Sequence, residues 1–336
     1  MKRFELASDV YSRDLSFGIA VLAVLITLRL TAPFLLNISL FYDEAQYYYW
    51  SLTPDWGYFS KPPMVAWIIG LTSELAVEEW AVRLGSPILY CGAAVIVWRL
   101  ARHWLSETQS VWSGVIFISL PLVGFVCSFT LPVIVTFALL ALTSRANANW
   151  AAPIYVALPI YLASKVVTQR HWKLLRFGVL ANLMIILGLQ LYHPLASVSG
   201  FDLNSRNDPY KRVSGWQPLM QRLTPILEAD PSAIVVSNSR ELLSQAAYYA
   251  RDGLAPKASN LVAWNPTDRI DNHYQLVTRL EPSESSPILF FSSEKLPLAT
   301  LQKFAPASEP IEISVPVYVD FSRKLFVYKF DAFLGY

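Results

Sequence analysis

Charge is scarce in this sequence. Only 15% of its 336 residues are Asp, Glu, Lys or Arg, while 54% are hydrophobic and mean hydropathy is +0.37. Soluble domains carry roughly 25% charge, so water is not the only solvent of this chain. Net charge is +2 with no basic block, which excludes an electrostatic footprint for nucleic acid. Cysteine is nearly absent. Cys91 and Cys127 both lie in apolar runs, where a small buried hydrophobe is the natural reading and a disulfide or metal ligand is not. Of the four histidines, His103 and His171 sit in basic loops, and His193 and His273 have no acid-rich or Cys-rich company at ligand spacing. A Gly-rich phosphate loop, a Ser or Cys nucleophile motif, an internal repeat and low-complexity sequence are all missing. The run after residues 1–15 is too long for a signal-peptide core and lacks a small-residue cleavage site, so it reads as a retained first membrane helix.

What is abundant is long apolar sequence, all of it in the first 200 residues. A helix needs about 20 apolar residues to cross a bilayer, and residues 17–40, 82–100, 151–167 and 174–192 approach that length. Residues 111–143, broken by Pro121 and Pro132, suit one tilted, kinked span or two short ones. The total is five to six transmembrane helices within a membrane domain over residues 1–196. Arg29, inside the first span, is expected to face protein or water rather than lipid. Residues 62–75 are apolar but short, which predicts a re-entrant or interfacial helix. Residues 41–61, with Tyr47-Tyr48-Tyr49-Trp50 and Trp56-Gly57-Tyr58-Phe59, have the aromatic density of a membrane interface.

Arg99, Arg102 and His103 close the second span, and Gln169-Arg170-His171-Trp172-Lys173 to Arg176 form a basic loop. By the positive-inside rule both are cytoplasmic, which puts the first loop, residues 40–81, outside. The number of crossings between Arg102 and Ser144 must then be odd. From about Ser197 the composition becomes that of an α/β module, expected to be extracytoplasmic over residues 197–336. Residues 233–237 and 287–291 read as buried strands, 240–250 as a helix capped by Asn238-Ser239, and 311–319 with 324–330 as a closing strand pair.

The chemistry concentrates in the outer loop. Asp43-Glu44 stands at the mouth of the first span, where two acids can supply a general base or a metal ligand, or can simply be solvated. A divalent metal is thus left open, and no motif requires a cofactor. Lys61, held before Pro62-Pro63, can pair with a lipid phosphate or anchor at the interface. Arg83 opens a span at its outer end against the charge rule, so an anion should face it: a phosphate, a headgroup or Asp43.

Three blocks occur in a familiar order: Tyr42-Asp43-Glu44-Ala45-Gln46-Tyr47, Trp56-Gly57-Tyr58-Phe59-Ser60-Lys61-Pro62-Pro63, and Ala81-Val82-Arg83-Leu84. They resemble the first outer loop and second span of bacterial glycosyltransferases of the GT-C class, the family of aminoarabinose lipid A transferase and the protein O-mannosyltransferases. The segment from Arg145-Ala146-Asn147 to Pro153 resembles a stretch late in their membrane domain. Val213-Ser214-Gly215-Trp216 resembles the start of their extracytoplasmic domain.

The resemblance implies a multi-pass protein of the bacterial inner membrane, mainly α-helical, with a small periplasmic α/β domain. It implies inverting transfer of a sugar from a polyprenyl-phosphate-linked donor to an extracytoplasmic acceptor, namely lipid A, another glycan or a protein. Asp43 takes the place of the base and Glu44 accompanies it in the catalytic motif. Lys61 and Arg83 would hold the donor phosphate, and Tyr42, Gln46 and Tyr58 would contact substrate. Gln46 stands where some members have Arg. Cys127-Ser128 runs straight into Phe129, so the resemblance covers both ends of the family's chain and skips its middle, which removes a second acidic outer loop. Other readings of such a chain are a non-catalytic membrane binding or assembly protein and a transporter of lipid-linked substrates.

Overall fold

A computed structural model describes residues 2–36, 38–59, 61–120, 152–169, 171–254, 260–282, 287–305 and 309–336. The stretch after Leu120 with Cys127, the loop at 144–150 and the segment from Arg145 to Ala151 lie outside the described residues. The chain forms two compact units, Met1–Leu36 with Ser86–Gly200, and Asn37–Gly85 with Phe201–Tyr336.

The first unit is helical. Helices α1 (Lys2–Leu35), α4 (Glu79–Ala101, shared with the second unit), α5 (Glu107–Ser119), α6 (Ala152–Thr168) and α7 (Trp172–Gln190) pack side by side. Among the described residues, three helical segments are long and apolar enough to cross a membrane: Arg13–Leu35, Glu79–Ala101 and Trp172–Gln190. Only 17%, 33% and 11% of their apolar windows are buried, so most of that apolar surface faces outward, as a lipid-exposed helix requires.

Helix α5 is the axis of this unit, buried over Ser110–Ser119. Ser106 and Gln109 start it with a reciprocal capping box. The Ser110 and Ser113 hydroxyls bond back along the helix, to the Ser106 carbonyl at 2.8 Å and that of Gln109 at 3.0 Å, so these two enter an apolar core satisfied. Two glycines permit close approach. A methyl at Gly18 would meet Val111 at 2.8 Å, and one at Gly114 would meet the Ala94 carbonyl at 3.2 Å. Arg29 faces protein: it donates to the Ile118 and Leu120 carbonyls at 3.3 and 2.6 Å and lies 5.1 Å from the Tyr90 ring centre.

The second unit is built on a five-stranded sheet in the order β2-β1-β3-β6-β5. Strands β1 (Ile234–Ser237), β2 (Leu261–Ala263) and β3 (Ile288–Ser292) are parallel, while β5 (Ile311–Tyr318) and β6 (Phe321–Phe330) complete the sheet antiparallel. The central strand β3 is buried throughout, as expected of an apolar run covered on both faces. One face carries helices α9 (Trp216–Glu228) and α10 (Arg240–Tyr249), the latter capped by the Ser239 hydroxyl. The other is covered by aromatic residues including Phe304, Phe330 and Phe333.

The segment read as the first outer loop belongs to this unit. The aromatic stretch begins with helix α2 (Tyr42–Ser51), and α3 (Met64–Ser73) follows. Helix α2 docks on α10. Tyr48 meets Tyr248 edge-on at 4.9 Å, Tyr49 stacks on Tyr274 at 5.1 Å, and Gln245 donates to the Leu40 carbonyl at 3.0 Å. The aromatic run is therefore a packing face, with Trp50 only 1% exposed.

Candidate active site

Helix α2 places two acids in its first turn, where the partial positive charge of a helix N-terminus favours carboxylates. Their roles diverge because successive residues on a helix point about 100° apart, the consequence of 3.6 residues per turn. Glu44 turns inward. It accepts the Phe41 N–H at 2.8 Å, which fixes the helix start, and receives Arg83 through Nε and Nη2, both at 2.9 Å. Arg83 also donates to the Ile38 and Ser39 carbonyls at 3.0 and 2.9 Å. The protein anion facing Arg83 is thus Glu44 and not Asp43, which stood beside a phosphate or a headgroup among the expected partners. The guanidinium is 12% exposed and its donors are largely committed within the protein.

Asp43 turns outward. Its carboxylate and the Arg240 guanidinium lie 3.5 Å apart, both about one-third exposed, and Arg240 also lies 4.8 Å from the Tyr42 ring centre. Arg240 is the first residue of α10, a position that no sequence motif marked. At this separation the pair attracts without the short hydrogen bonds that would lock Asp43, so a reacting group can reach the carboxylate. Burial, and then the negative charge of Asp43, push the Tyr47 hydroxyl above its ordinary pKa, so it stays protonated beside the acid.

The remaining expected residues divide. Lys61 is half-buried and closes a tight turn with Tyr58 through two backbone hydrogen bonds of 3.2 and 3.3 Å. Among the described residues it forms no ion pair, and no bond joins it to Asp43, Glu44 or Arg83. Tyr58 is tied down: its ring stacks on Trp50 at 4.5 Å, and its hydroxyl donates toward the Trp50 carbonyl at 3.0 Å. Gln46 is 2% exposed, on the face of α2 that packs inward. Tyr42 stays half-buried beside Phe41, with ring centres 4.3 Å apart. Among the described residues, no group of three His, Cys, Asp or Glu side chains is placed to hold a metal ion.

A second polar arrangement supports this corner. The Tyr249 hydroxyl accepts the Leu40 N–H at 2.6 Å and donates to Glu79 at 3.0 Å. Burial and the Glu79 carboxylate both raise its pKa, so it remains a donor. It fastens the segment preceding α2 to the sheet module.

Residues 60–191 match the family described as dolichyl-phosphate-mannose-protein mannosyltransferase. This segment is similar to glycosyltransferases of that family. It contains Lys61 and Arg83, while Asp43 and Glu44 precede it. A curated relative, lipid A galacturonosyltransferase RgtD of Rhizobium johnstonii, is 39% identical over 83 residues, which are 24% of this chain and 18% of the relative. The aligned stretch is thus under one-fifth of that protein's length. No solved structure gives a significant match. Together with helices long and apolar enough to cross a bilayer, this similarity makes the chain a membrane protein.

Proposed function

We propose that the chain transfers a sugar from a polyprenyl-phosphate-linked donor to an acceptor outside the cytoplasm, with Asp43 as the base. The observation that carries this reading is the divergence of the two acids: Glu44 is consumed by Arg83 and the helix start, whereas Asp43 remains accessible beside Arg240. In the reaction the acceptor oxygen attacks the anomeric carbon and its proton passes to Asp43. The bond from that carbon to the phosphate oxygen breaks, and the lipid phosphate leaves as an anion. Configuration inverts because attack and departure occur on opposite faces. Lys61 is the cation for that leaving phosphate, since among the described residues no carboxylate holds it. Glu44 and Arg83 are positioning residues that set the direction of α2, and Tyr42 forms part of the acceptor's surroundings.

The test is transfer of labelled sugar from a polyprenyl-phosphate donor in membranes holding the full chain. Loss of a general base costs about 10²–10⁴-fold, so Asp43→Asn should fall by that factor, and Lys61→Ala should fall as well. Equal label in wild type and both variants, or none above empty membranes, overturns the reading.

The second reading, a non-catalytic membrane binding or assembly protein, is favoured by one observation. Gln46, Tyr58 and Arg83 are all engaged in internal packing or bonding, so a chain retaining only a scaffold role would keep them too.

A further inference from the structure

Beside Tyr42 the second unit opens a cavity of about 300 Å³ whose charged lining is Lys211, Arg212, Arg323 and Glu241. Three cations face one carboxylate there. Among the described residues the side chains of Lys211, Arg212 and Arg323 form no ion pair.

Arg323 is built into the cavity. Its Nε donates to the Ser214 carbonyl at 2.6 Å, and its Nη2 donates to those of Lys211 and Arg212 at 3.0 and 2.9 Å. Its guanidinium lies 4.0 Å from the Trp216 ring centre, within cation–π range. Gly215 makes this possible: its φ is +83°, and a Cβ there would meet Val317 at 2.4 Å. The Val213-Ser214-Gly215-Trp216 motif, which the transfer mechanism leaves unused, is therefore the cradle that fixes Arg323 and presents Lys211 and Arg212 beside it. Burial lowers the pKa of Arg323 and raises that of Glu241, which marks the cavity as partly shielded from water. An anion held there is screened less than one on an open surface.

We propose that this cavity binds a phosphomonoester borne on a sugar, the cations taking the phosphate and Glu241 accepting a sugar hydroxyl. Phe41, Tyr42 and Phe321 supply apolar walls for the ring. Resting on the glycosyl-transfer reading, the ligand is the acceptor. Tyr42 in the wall is followed by Asp43, and Glu241 by sequence adjoins Arg240, the partner of Asp43, so an anchored phosphate brings the acceptor to the base.

The test is equilibrium binding of labelled glucose 1-phosphate to the full chain in phosphatidylcholine nanodiscs, without donor. Glucose 1-phosphate should bind and glucose should not. Competition by phosphatidic acid placed in the nanodisc assigns the site to lipid-borne phosphates, and competition only by inorganic phosphate assigns it to soluble ones. Lys211→Gln with Arg212→Gln, both exposed, should weaken binding about tenfold, the equivalent of 1.4 kcal/mol. Glu241→Gln should tighten it by removing the like charge, an opposite sign that a structural role for these residues does not produce. No binding in any arm, or variants indistinguishable from wild type, overturns the proposal. Binding that persists where sugar transfer fails would count against the transfer reading alone, and transfer without binding against this site alone.

Discussion

In the first unit the hydroxyls of Ser110 and Ser113 bond to carbonyls four residues back on their own helix, whereas in the second Glu44, Gln245 and Tyr249 reach partners 39, 205 and 209 residues away. Lipid and water set different demands on such bonds. A helix facing lipid must satisfy its polar groups within itself, because hydrocarbon offers no replacement. A module facing water can leave a group exposed until a distant segment arrives. Both kinds of bond occur in each unit, since Arg29 reaches the Ile118 and Leu120 carbonyls and the Ser244 hydroxyl bonds to the Arg240 carbonyl, but only in the second do such ties fasten the segment before α2 to the sheet module. Damage should therefore spread differently in the two.

The largest expected effect is that of Trp50→Ala. Trp50 is 1% exposed, stacks on Tyr58 and meets His273 edge-on at 5.1 Å, and truncating such an aromatic costs about 3–5 kcal/mol. Hydrogen exchange should show α2 and the Tyr58–Lys61 turn losing protection while α5 keeps it. Equal loss in both units would end the distinction drawn here. A smaller effect is expected for the Glu44–Arg83 tie. A double-mutant cycle with Glu44→Gln and Arg83→Met should give a coupling of about 1–2 kcal/mol, below that of a fully buried pair because Glu44 is one-third exposed to screening water. Thermal unfolding of the four proteins in nanodiscs provides the measurement. A coupling near zero would mean that the two backbone carbonyls, and not Glu44, hold Arg83.

The same contrast explains what the sequence disclosed. Apolar length is a local property, so the helices at Arg13–Leu35, Glu79–Ala101 and Trp172–Gln190 stood out from their runs of apolar residues. The alternating and continuous apolar patterns of β1, β3, β5 and β6 were equally readable, whereas β2, three residues long, offered too little pattern. For Tyr47 to Trp50 the sequence showed aromatic density but not that part of it packs against helix α10, which only the partner helix reveals. At the candidate site the acids themselves were visible. Their division of labour was not, since it depends on which side of α2 meets Arg83 and which meets Arg240. The cradle around Arg323 needed a glycine in a left-handed conformation and three carbonyls converging from one turn, neither of which composition reveals.

The smallest expected effect concerns pH. His273 lies against Trp50 and Tyr58, with ring centres at 5.1 and 5.7 Å, and burial depresses its pKa below the usual 6.5, a shift that Asp55 only partly offsets. The unfolded chain then binds a proton more readily than the folded one between the depressed value and 6.5. By linkage, stability is fully present above 6.5 and declines as pH falls through that window. The loss should appear in the second unit, where the imidazole wedges between α2 and the sheet module, and not in the first. His273→Gln should flatten the dependence of thermal unfolding on pH below about 6.5 while lowering stability at neutral pH through lost ring packing. An unchanged slope in that variant would assign the acid sensitivity to another group and leave His273 as packing alone.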